Sequence, residues 1–577
     1  MPQSITFVHC PVVDFGQNYG SELAPLWAFT LAAWVPTSFD TRVVDCRHED
    51  PAQIERADVF AFSGINQDLP ELLARRAALK ARYPDALFIL GGPITWSFER
   101  EGRLGLLADF DYLFLLDGEE TFPRFLRALE AGRLEELERV QRAERFPLAH
   151  ARALDLELYA RTEATPHYYG AAVEVSRGCP FLCEFCDVRS IPGNNRANDK
   201  PVALVLAELE WHYARGVRDF MFVCDNFIGD VSWARACAEA IAEWRARTGA
   251  NPSIFTWATL NLVKHAELMQ LMRRAGFSVL YIGIESVNQS SLLETAKAQN
   301  RGDLASAVRR IHEHGFVIAP GLIFGFDSDG PETFDDTLAF LEQTGLLGGD
   351  PGFLSALPGT PLFARMKRTG RLVERSEGAS ARRKVSTNVR YLQEPAALAS
   401  GFARFMARFA SAEHQWRKFE RHLELIVQSS HFIEQGGVGP GALWQFVRGQ
   451  LAHAERRRML LARLGFLLAK PAHLRTLVRA FFAWRKAERT RPGLGAHFYF
   501  WLYFWTNLGL KYRDLKPEDC ELHGASPTLS VTQLAADARG ALQNVIELDG
   551  VRSKARKQLA QTSRALTELA AASARRG

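Results

Sequence analysis

The sequence predicts an α/β protein in three parts: an N-terminal doubly wound parallel sheet, a central partial (β/α)6 barrel and a C-terminal all-helical domain. Short apolar runs alternate with helical patterns over the first 150 residues, and six further runs alternate with helices between 171 and 359. Beyond about 375 the strand signal disappears. We therefore expect domains at 1–150, 165–375 and 376–577.

Length and composition exclude several classes of protein. The 577 residues are too many for one compact core. With 47% hydrophobic and 24% charged residues, the composition is that of ordinary globular protein, which excludes wholesale disorder and a collagen-like fibre. The 70 basic and 66 acidic residues leave a net charge of +4, which gives no case for a nucleic-acid binder.

The expected compartment is the cytoplasm. Eight cysteines are too few for a disulfide scaffold in a chain of this length. The start, MPQSITFVHC, lacks the pattern of a signal peptide. No run reaches the ~18 apolar residues that a spanning helix needs, so we do not expect the chain to cross a membrane.

Five apolar runs in the N-terminal part are expected to be buried parallel strands: 5–10, 41–46, 58–64, 86–92 and 111–118. The carboxyl ends of such strands form ligand crevices, where small residues let a backbone approach a bulky ligand closely. Here the ends carry Ser63 and Gly64, Gly91 and Gly92, and the segment 117–121. The alternative is that these glycines only make tight turns between strand and helix.

Six runs are expected to form the strands of the partial barrel: 171–176, 220–227, 255–261, 279–286, 317–326 and 353–359. Pro201 and Gly216 are placed to begin and end one intervening helix, and Gly276 is placed to end another. In barrels of this kind the chemistry lies where strands end and loops begin.

Cys179, Cys183 and Cys186 form a C-x3-C-x2-C loop directly after the first barrel strand. Zinc would require a fourth ligand at finger-like spacing, and no second Cys or His pair lies close by in sequence. A disulfide would leave one cysteine over in a reducing compartment. Three thiolates can instead hold three corners of a 4Fe–4S cluster and leave the fourth iron open to a substrate. The other five cysteines are interpreted as small buried apolar side chains.

Because an aromatic residue, Phe185, precedes the third cysteine, the loop resembles the defining loop of the radical S-adenosylmethionine (SAM) superfamily. The resemblance implies that the open iron binds SAM, and that the reduced cluster cleaves it to methionine and a 5′-deoxyadenosyl radical. An external one-electron reductant is implied as well. The SAM contacts that the resemblance implies come from the ends of barrel strands: Asn226, Gly283, Glu285, Ile323 and Gly325.

A doubly wound domain before such a barrel resembles the class B arrangement, in which the N-terminal sheet binds cobalamin. The succession from the GGP turn through SRGCPFLCEFCD and GIES to LPGTPL is similar to the branch that includes the hopanoid C-2 methylases. The resemblance implies cobalamin contacts at the sheet edge: Ser63, Gly91, Gly92, Gly118 and Glu119. The motif D-x-H-x-x-G is absent, so no protein histidine is expected on the lower face of cobalamin.

Resemblance to this branch implies methylation of an unactivated carbon of a metabolite, with two SAM molecules consumed per turnover. A rival interpretation keeps the radical step but ends in oxidation, cyclisation or another bond formation. A third interpretation is a non-catalytic electron-transfer or sensor protein, although electron carriers normally bind all four irons through protein thiolates.

The C-terminal part carries a hint about the substrate. Ten basic residues lie among Leu, Phe and Trp between 456 and 489, against Glu488 alone, and 498–505 has the sequence FYFWLYFW. A basic amphipathic face can lie on an anionic membrane, and an aromatic run can line a channel for a lipid-like substrate. The alternatives are a solvated helix face for the first stretch and core packing for the second.

Overall fold

The computed structural model describes residues 3–12, 23–168, 170–373, 385–434, 451 and 454–525. The described residues belong to two compact units. The first comprises Met1–Cys179 with Ile191–Ala240, and the second comprises Pro180–Ser190 with Ile241–Gly577. The domain boundaries predicted at 150 and 375 stay a prediction.

Six parallel strands form the N-terminal sheet of the first unit: β1 (Ser4–His9), β2 (Asp40–Asp45), β3 (Val59–Ser63), β4 (Leu87–Gly91), β5 (Tyr112–Leu115) and β6 (Val140–Arg142). Their order across the sheet is β2-β1-β3-β4-β5-β6. The five predicted strands are confirmed. Strand β6 was missed because its three residues, VQR, contain no apolar run.

Helices cover both faces of this sheet, which confirms the doubly wound prediction. They are α1 (Leu26–Ala32), α2 (Leu69–Arg82), α3 (Pro93–Arg100), α4 (Gly118–Glu130) and α5 (Leu156–Arg161). Side chains of β3 alternate between the faces: Phe60 and Phe62 belong to a core cluster with α2 and α3, and Val59 and Ala61 belong to one with α1, α4 and α5. Strands buried on both faces explain the continuous apolar runs in the sequence.

The first unit continues through β7 (Ala171–Glu174), β8 (Ser176–Arg177), β9 (Asn198–Asp199), α6 (Val202–Ala214) and β10 (Asp219–Val223). Helix α7 (Val231–Thr248) begins in this unit, which ends at Ala240. Strands β7 and β10 pair in parallel, and β8 and β9 form an antiparallel pair. Helix α6 begins after Pro201 and ends before Gly216, as predicted. This unit therefore holds the first two of the predicted barrel strands.

The second unit contains four neighbouring parallel strands in chain order: β11 (Ser253–Ala258), β12 (Phe277–Glu285), β13 (Val317–Phe324) and β14 (Asp350–Phe353). Between and after them lie α8 (Ala266–Ala275), α9 (Gln289–Glu294), α10 (Leu304–Glu313), α11 (Thr333–Thr344) and α12 (Pro361–Arg368). The strand predicted at 353–359 is wrong in its bounds. Pro358 and Gly359 favour a turn, so β14 ends at Phe353 and the Thr360 side chain caps α12.

The C-terminal part is mainly helical, with α13 (Pro395–Phe409), α14 (Ala412–Gln428), α15 (Ala454–Leu468), α16 (Pro471–Thr490) and α17 (Gly495–Lys511). It is not entirely helical, and that part of the prediction is corrected. Strands β15 (Val385–Tyr391) and β16 (Cys520–Gly524) pair in parallel although about 130 residues separate them in sequence. Each strand is short and half polar, so neither produced an apolar run.

The aromatic run 498–505 forms part of the core. Trp501 and Trp505 of α17 are fully buried, in one cluster with Val317 and Ala319 of β13. Their indole N–H groups donate to the carbonyls of Gln415 (3.2 Å) and Ala410 (2.9 Å). The core-packing interpretation of this run is confirmed. Among the described residues, no helix has both the length and the apolarity needed to cross a membrane.

A buried histidine makes the second unit sensitive to acid. His312 of α10 is fully buried, its Nδ1 lies 2.9 Å from the carbonyl of Phe316, and its Nε2 has no partner among the described residues. Burial lowers the pKa of His312 to about 4. Because the unfolded chain takes up this proton near pH 6.5 and the folded chain does not, folding stability falls as pH drops from about 6.5 towards 4.

We expect His312→Gln to remove up to about 1.4 kcal/mol per pH unit of this dependence. Urea unfolding midpoints between pH 7.5 and 5 measure the slope. The control is His265→Gln, since His265 is only half-buried. Equal slopes for wild type and His312→Gln would contradict the assignment.

Candidate functional site

The cysteine loop begins in the first unit, directly after β8. The amide of Gly178 donates a hydrogen bond to Oδ2 of Asp225 at 2.6 Å. The amide of Cys179 donates to the carbonyl of Asn194 at 2.9 Å. Asp225 and the predicted site residue Asn226 follow β10, and Asn226 is buried. The end of β10 therefore holds the backbone that carries the first cysteine.

Arg177 ties the same loop to the N-terminal sheet through carboxylates. Its guanidinium contacts Glu174 (Nε–Oε1, 2.7 Å), Glu119 (Nη2–Oε1, 2.6 Å) and Asp117 (Nη1–Oδ2, 3.3 Å). Burial opposes the charge on Arg177, but these carboxylates raise its pKa well above the ordinary value. Glu119, predicted to contact cobalamin, is thus the partner of a charged residue two positions before Cys179.

The other residues predicted at the sheet edge lie at the ends of three neighbouring strands, β3, β4 and β5. Ser63 is opposite Gly91 in the register of β3 and β4. Gly92 has φ of 86°, and a Cβ on it would lie 2.4 Å from Oγ of Ser63. The turn itself therefore requires glycine at 92, which supports the structural alternative for that residue. Gly118 is the first residue of α4, after β5.

The second half of the cysteine loop lies in the second unit and is anchored by a buried ion pair. Glu184, between Cys183 and Phe185, makes a bidentate pair with Arg365 of α12, at 2.7 Å (Nε–Oε1) and 2.9 Å (Nη2–Oε2). Arg365 also contacts Oδ2 of Asp327 at 2.9 Å. Both ends of the Glu184–Arg365 pair are almost completely buried. Such a fork fixes the orientation of the loop as well as its position.

A cation lies near the two cysteines of this unit. Lys297 Nζ is 2.7 Å from Oε1 of Glu285, and Gln299 Nε2 donates to Sγ of Cys183 at 3.2 Å. Burial opposes the charge on Lys297, but the Glu285 carboxylate and the Cys183 and Cys186 thiolates raise its pKa above the ordinary value. The sulfur of Cys183 therefore accepts a hydrogen bond from Gln299, and the charge of Lys297 acts on both Cys183 and Cys186.

Glu285 occupies a strained position at the end of β12. Its φ is 64°, a left-handed conformation that costs about 1–3 kcal/mol in a non-glycine residue. A Cβ on Gly283 would lie 2.1 Å from Oε1 of Glu285 and 2.7 Å from Nζ of Lys297. Gly283 therefore leaves the space that the Glu285–Lys297 pair fills. Strain of this kind is common at functional sites and is consistent with the predicted role of Glu285.

The two residues predicted on the fifth barrel strand, Ile323 of β13 and Gly325 directly after it, pack against core side chains. Gly325 has φ of 87°, and a Cβ on it would lie 2.6 Å from the ring of Tyr391. Ile323 is half-buried against the core cluster that contains Phe326 and Tyr391. The structure thus brings Gly283 and Glu285 together with Lys297, while it surrounds Gly325 and Ile323 with core side chains.

Sequence analysis missed Lys297, Gln299 and Arg365. Lys297 and Gln299 lie in the short connection after α9, where no periodic pattern marks them. Arg365 lies on a helix rich in basic residues and is separated from Glu184 by 181 positions. Composition alone gave no reason to expect one of these arginines to be buried.

The donor set fits an iron–sulfur cluster. Three cysteines occur within eight residues; Lys297 interacts electrostatically with two of them, Cys183 and Cys186, and the sulfur of Cys183 also accepts a hydrogen bond from Gln299. Within the described ranges, no three Cys, His, Asp or Glu side chains are grouped as ligands of one metal ion. Each thiolate of a 4Fe–4S cluster binds a different iron, so the ligands of a cluster do not converge on one atom.

Known proteins with similar sequences include a family and two methylating enzymes that this chain resembles. The model of the Radical SAM superfamily matches residues 173–341. Hopanoid C-2 methylase of Rhodopseudomonas palustris is 30% identical over 380 residues, which cover 64% of this chain and 68% of that protein. An uncharacterized methyltransferase of Synechocystis sp. is 32% identical over 363 residues, which cover 62% of this chain and 65% of the relative. The chain thus spans about two thirds of the length of these relatives.

Two solved structures share the fold. OxsB is a cobalamin-dependent SAM radical enzyme solved with aqua-cobalamin and SAM. It matches with a TM-score of 0.56 at 13% identity, and the match covers 98% of this chain and 84% of the OxsB chain. TsrM of Kitasatospora setae, a radical SAM methyltransferase solved with cobalamin and a 4Fe–4S cluster, matches with a TM-score of 0.51 at 16% identity, over 66% of this chain and 77% of its own. At these identities the likeness concerns the fold alone.

Proposed function

The chain belongs to the radical SAM superfamily, in the branch of the hopanoid C-2 methylases, and on that premise we propose that it methylates an unactivated carbon atom of a small molecule. The C-x3-C-x2-C loop, with Lys297 and Gln299 beside its second and third cysteines, carries the proposal. A loop that served only packing would not require a buried cation next to thiols. The cation instead offsets the negative charge that thiolate ligands bring.

Each residue of the proposed centre has a physical task. Cys179, Cys183 and Cys186 ligate the cluster, and Gln299 donates to the Cys183 sulfur, which holds that ligand in one orientation. Lys297 balances ligand charge. When bound, the cluster and SAM together supply a 5′-deoxyadenosyl radical, and cobalamin supplies the methyl group.

SAM binding is proposed for Gly283 and Glu285 at the end of β12. The Glu285 carboxylate accepts one hydrogen bond from Lys297 and has further acceptor sites for a hydroxyl or ammonium group. We propose the SAM contacts that the superfamily implies also for Ile323 on β13, for Gly325 directly after β13 and for Asn226 after β10. Cobalamin is proposed at the end of the N-terminal sheet, at Ser63, Gly91, Gly92, Gly118 and Glu119.

The proposal includes an apolar, lipid-like substrate, an external one-electron reductant, and a cytoplasmic location with peripheral membrane contact. The relative that methylates a hopanoid supports the substrate class. An oxidation or cyclisation without methyl transfer remains the rival outcome, and it is distinguished by the mass of the product.

Anaerobic reconstitution tests the function. Purified protein is loaded with iron, sulfide and hydroxocobalamin, reduced, and incubated with a bacterial lipid extract and SAM that carries an isotopically labelled methyl group. We expect 5′-deoxyadenosine together with label in an apolar product. Formation of 5′-deoxyadenosine with an unlabelled, oxidised or cyclised product would overturn the methylation proposal, and absence of both would overturn the radical proposal.

Loss of the charge on Lys297 is expected to make the cluster harder to reduce. In Lys297→Met, the ammonium no longer offsets part of the negative charge of the ligands and of Glu285, so the reduction potential becomes more negative, on the order of the 59 mV that a tenfold change represents for one electron. Potentiometric titration monitored by electron paramagnetic resonance measures the shift. Lys264→Met is the control because Lys264 is exposed, and equal potentials in both variants would contradict the role of Lys297.

A further inference from the structure

The α15–α16 hairpin has one face in the core and one face outside it. Ala469 and Lys470 connect the helices. On the inner face, Phe466, Ala480 and Ala487 are buried in the same cluster as Trp501 and Trp505. The described contacts of the second unit therefore account for one side of each helix.

The outer face carries large apolar side chains in stripes. On α15, Leu461 and Leu468 are each 67% exposed, and Leu464 is 45% exposed. The spacing of these three leucines, 3 and 4 residues apart, places them on one side of α15. Helix α16 has a matching stripe with four members: Leu474, Val478, Phe481 and Phe482. Phe482 is 66% exposed although the edge of its ring pair with Phe481, at 5.7 Å between centroids, covers part of it, and such exposure is unusual for a phenylalanine.

The two stripes meet at the turn of the hairpin. Leu468 ends α15, and Leu474 lies in the first turn of α16; of the five residues between them, Ala469, Lys470, Pro471 and Ala472 are exposed and His473 is buried. Exposed apolar residues thus continue across the tip. A continuous apolar surface of this kind marks an interaction site more often than scattered exposed residues do.

The surroundings of the stripes are strongly cationic. Ten of the residues from 456 to 489 are Lys or Arg. Lys470, Arg475 and Lys486 are exposed and form no ion pair with another residue that the structure describes. The single acidic residue of this range, Glu488, accepts hydrogen bonds from the amides of Gly493 (2.9 Å) and Leu494 (2.7 Å). Its single negative charge lies at the start of α17 and offsets only one of the ten positive charges of this range.

We propose that the outer face of the α15–α16 hairpin docks on the surface of an anionic lipid bilayer. Its leucine and phenylalanine side chains enter the region between headgroups and acyl chains, and its lysines and arginines contact lipid phosphates. The occupant follows from the combination of apolar and cationic groups. A second copy of the chain would bring two sets of cations together, and that repulsion opposes self-association through this face.

Docking does not depend on the proposed methylation, since it uses no cofactor and no residue of the cysteine loop. It deepens the proposal in one respect, because an enzyme held at a bilayer has access to an apolar substrate dissolved there.

Flotation with vesicles tests the inference on the full chain purified without cofactor. Vesicles of phosphatidylcholine with about one third phosphatidylglycerol are compared with vesicles of phosphatidylcholine alone, at low and high salt. We expect the protein to bind the anionic vesicles at low salt. Its affinity for the neutral vesicles is expected to be at least about tenfold lower. Leu468→Glu combined with Phe482→Glu is expected to reduce binding to anionic vesicles at least about a hundredfold.

Leu106→Glu is the matched control, because Leu106 is an exposed leucine outside the hairpin. Circular dichroism confirms that each variant is folded. No binding by wild type, or equal binding by the double variant and Leu106→Glu, would overturn the proposal. If wild type and Leu106→Glu dimerised with rising concentration and the double variant did not, the occupant of this face would be a second copy of the chain, and the lipid proposal would be overturned.

Discussion

Replacement of Cys179, Cys183 and Cys186 by alanine together is expected to abolish cleavage of SAM while the chain remains folded. Changes in the outer shell of a metal site typically cost about 10–100-fold, so removal of three direct ligands should exceed that range. The fold should survive because the loop is held by other groups, through the Gly178–Asp225 hydrogen bond and the Glu184–Arg365 pair. Anaerobic formation of 5′-deoxyadenosine and the iron and sulfide content of the protein are the measurements.

Cys46→Ala serves as the control, since Cys46 is a half-buried cysteine outside the loop. It should retain the iron content and the cleavage activity of wild type. Cluster content or cleavage in the triple variant comparable to wild type would show that the loop does not ligate the cluster. If the triple variant unfolded, its loss of activity would not report on cluster ligation. Single Cys→Ala variants are therefore measured as well, and each is expected to lower the cluster content.

Removal of Arg365 is expected to have the largest effect on stability. Arg365→Met leaves the Glu184 carboxylate buried without its bidentate partner and takes one of the arginines from Asp327. Breaking a buried pair in this way costs about 3–5 kcal/mol because an uncompensated charge stays behind. Desolvation of Arg365 opposes its charge, but Glu184 and Asp327 raise its pKa, so the guanidinium carries its charge in the folded protein. The unfolding free energy from urea titration measures the loss.

Two variants make this prediction specific. Lys367→Met changes an exposed cation of the same helix and should alter stability by about 0.5 kcal/mol or less. Glu184→Gln combined with Arg365→Met removes the orphaned charge and should recover part of the loss, as a double-mutant cycle would show. A loss for Arg365→Met no larger than for Lys367→Met would mean that the pair does not anchor the loop.

The strands of the N-terminal sheet could be predicted because they are buried on both faces. The first four residues of β3, VFAF, are all apolar, and both faces of that strand belong to core clusters. The C-terminal pair β15 and β16 could not be predicted in this way. Alternate residues of β15 are half-buried, and its partner lies far along the chain, so the local sequence carries neither a continuous apolar run nor a turn signal.

The candidate site divides in the same manner. The three cysteines lie within eight residues of the sequence, so their spacing alone indicated the chemistry. The fold brings Lys297 and Arg365 to their partners. Lys297 pairs with Glu285, which lies before α9 in sequence, and Arg365 pairs with Glu184, which lies far away in sequence. A sequence pattern does not distinguish a buried, paired cation from the exposed ones that surround it. The sequence pattern also predicted ligand contacts for Gly92 and Gly325, where packing alone explains glycine. The turn requires glycine at 92, and the ring of Tyr391 leaves no room for a side chain at 325.

The central claim is that Cys179, Cys183 and Cys186 bind a 4Fe–4S cluster with one iron open to SAM. Electron–nuclear double resonance on the reduced, anaerobically reconstituted protein tests it, with SAM isotopically labelled in its amino and carboxylate groups. We expect magnetic coupling between both labels and the cluster. A cluster spectrum that SAM leaves unchanged, or a metal content of zinc in place of iron, would contradict the claim.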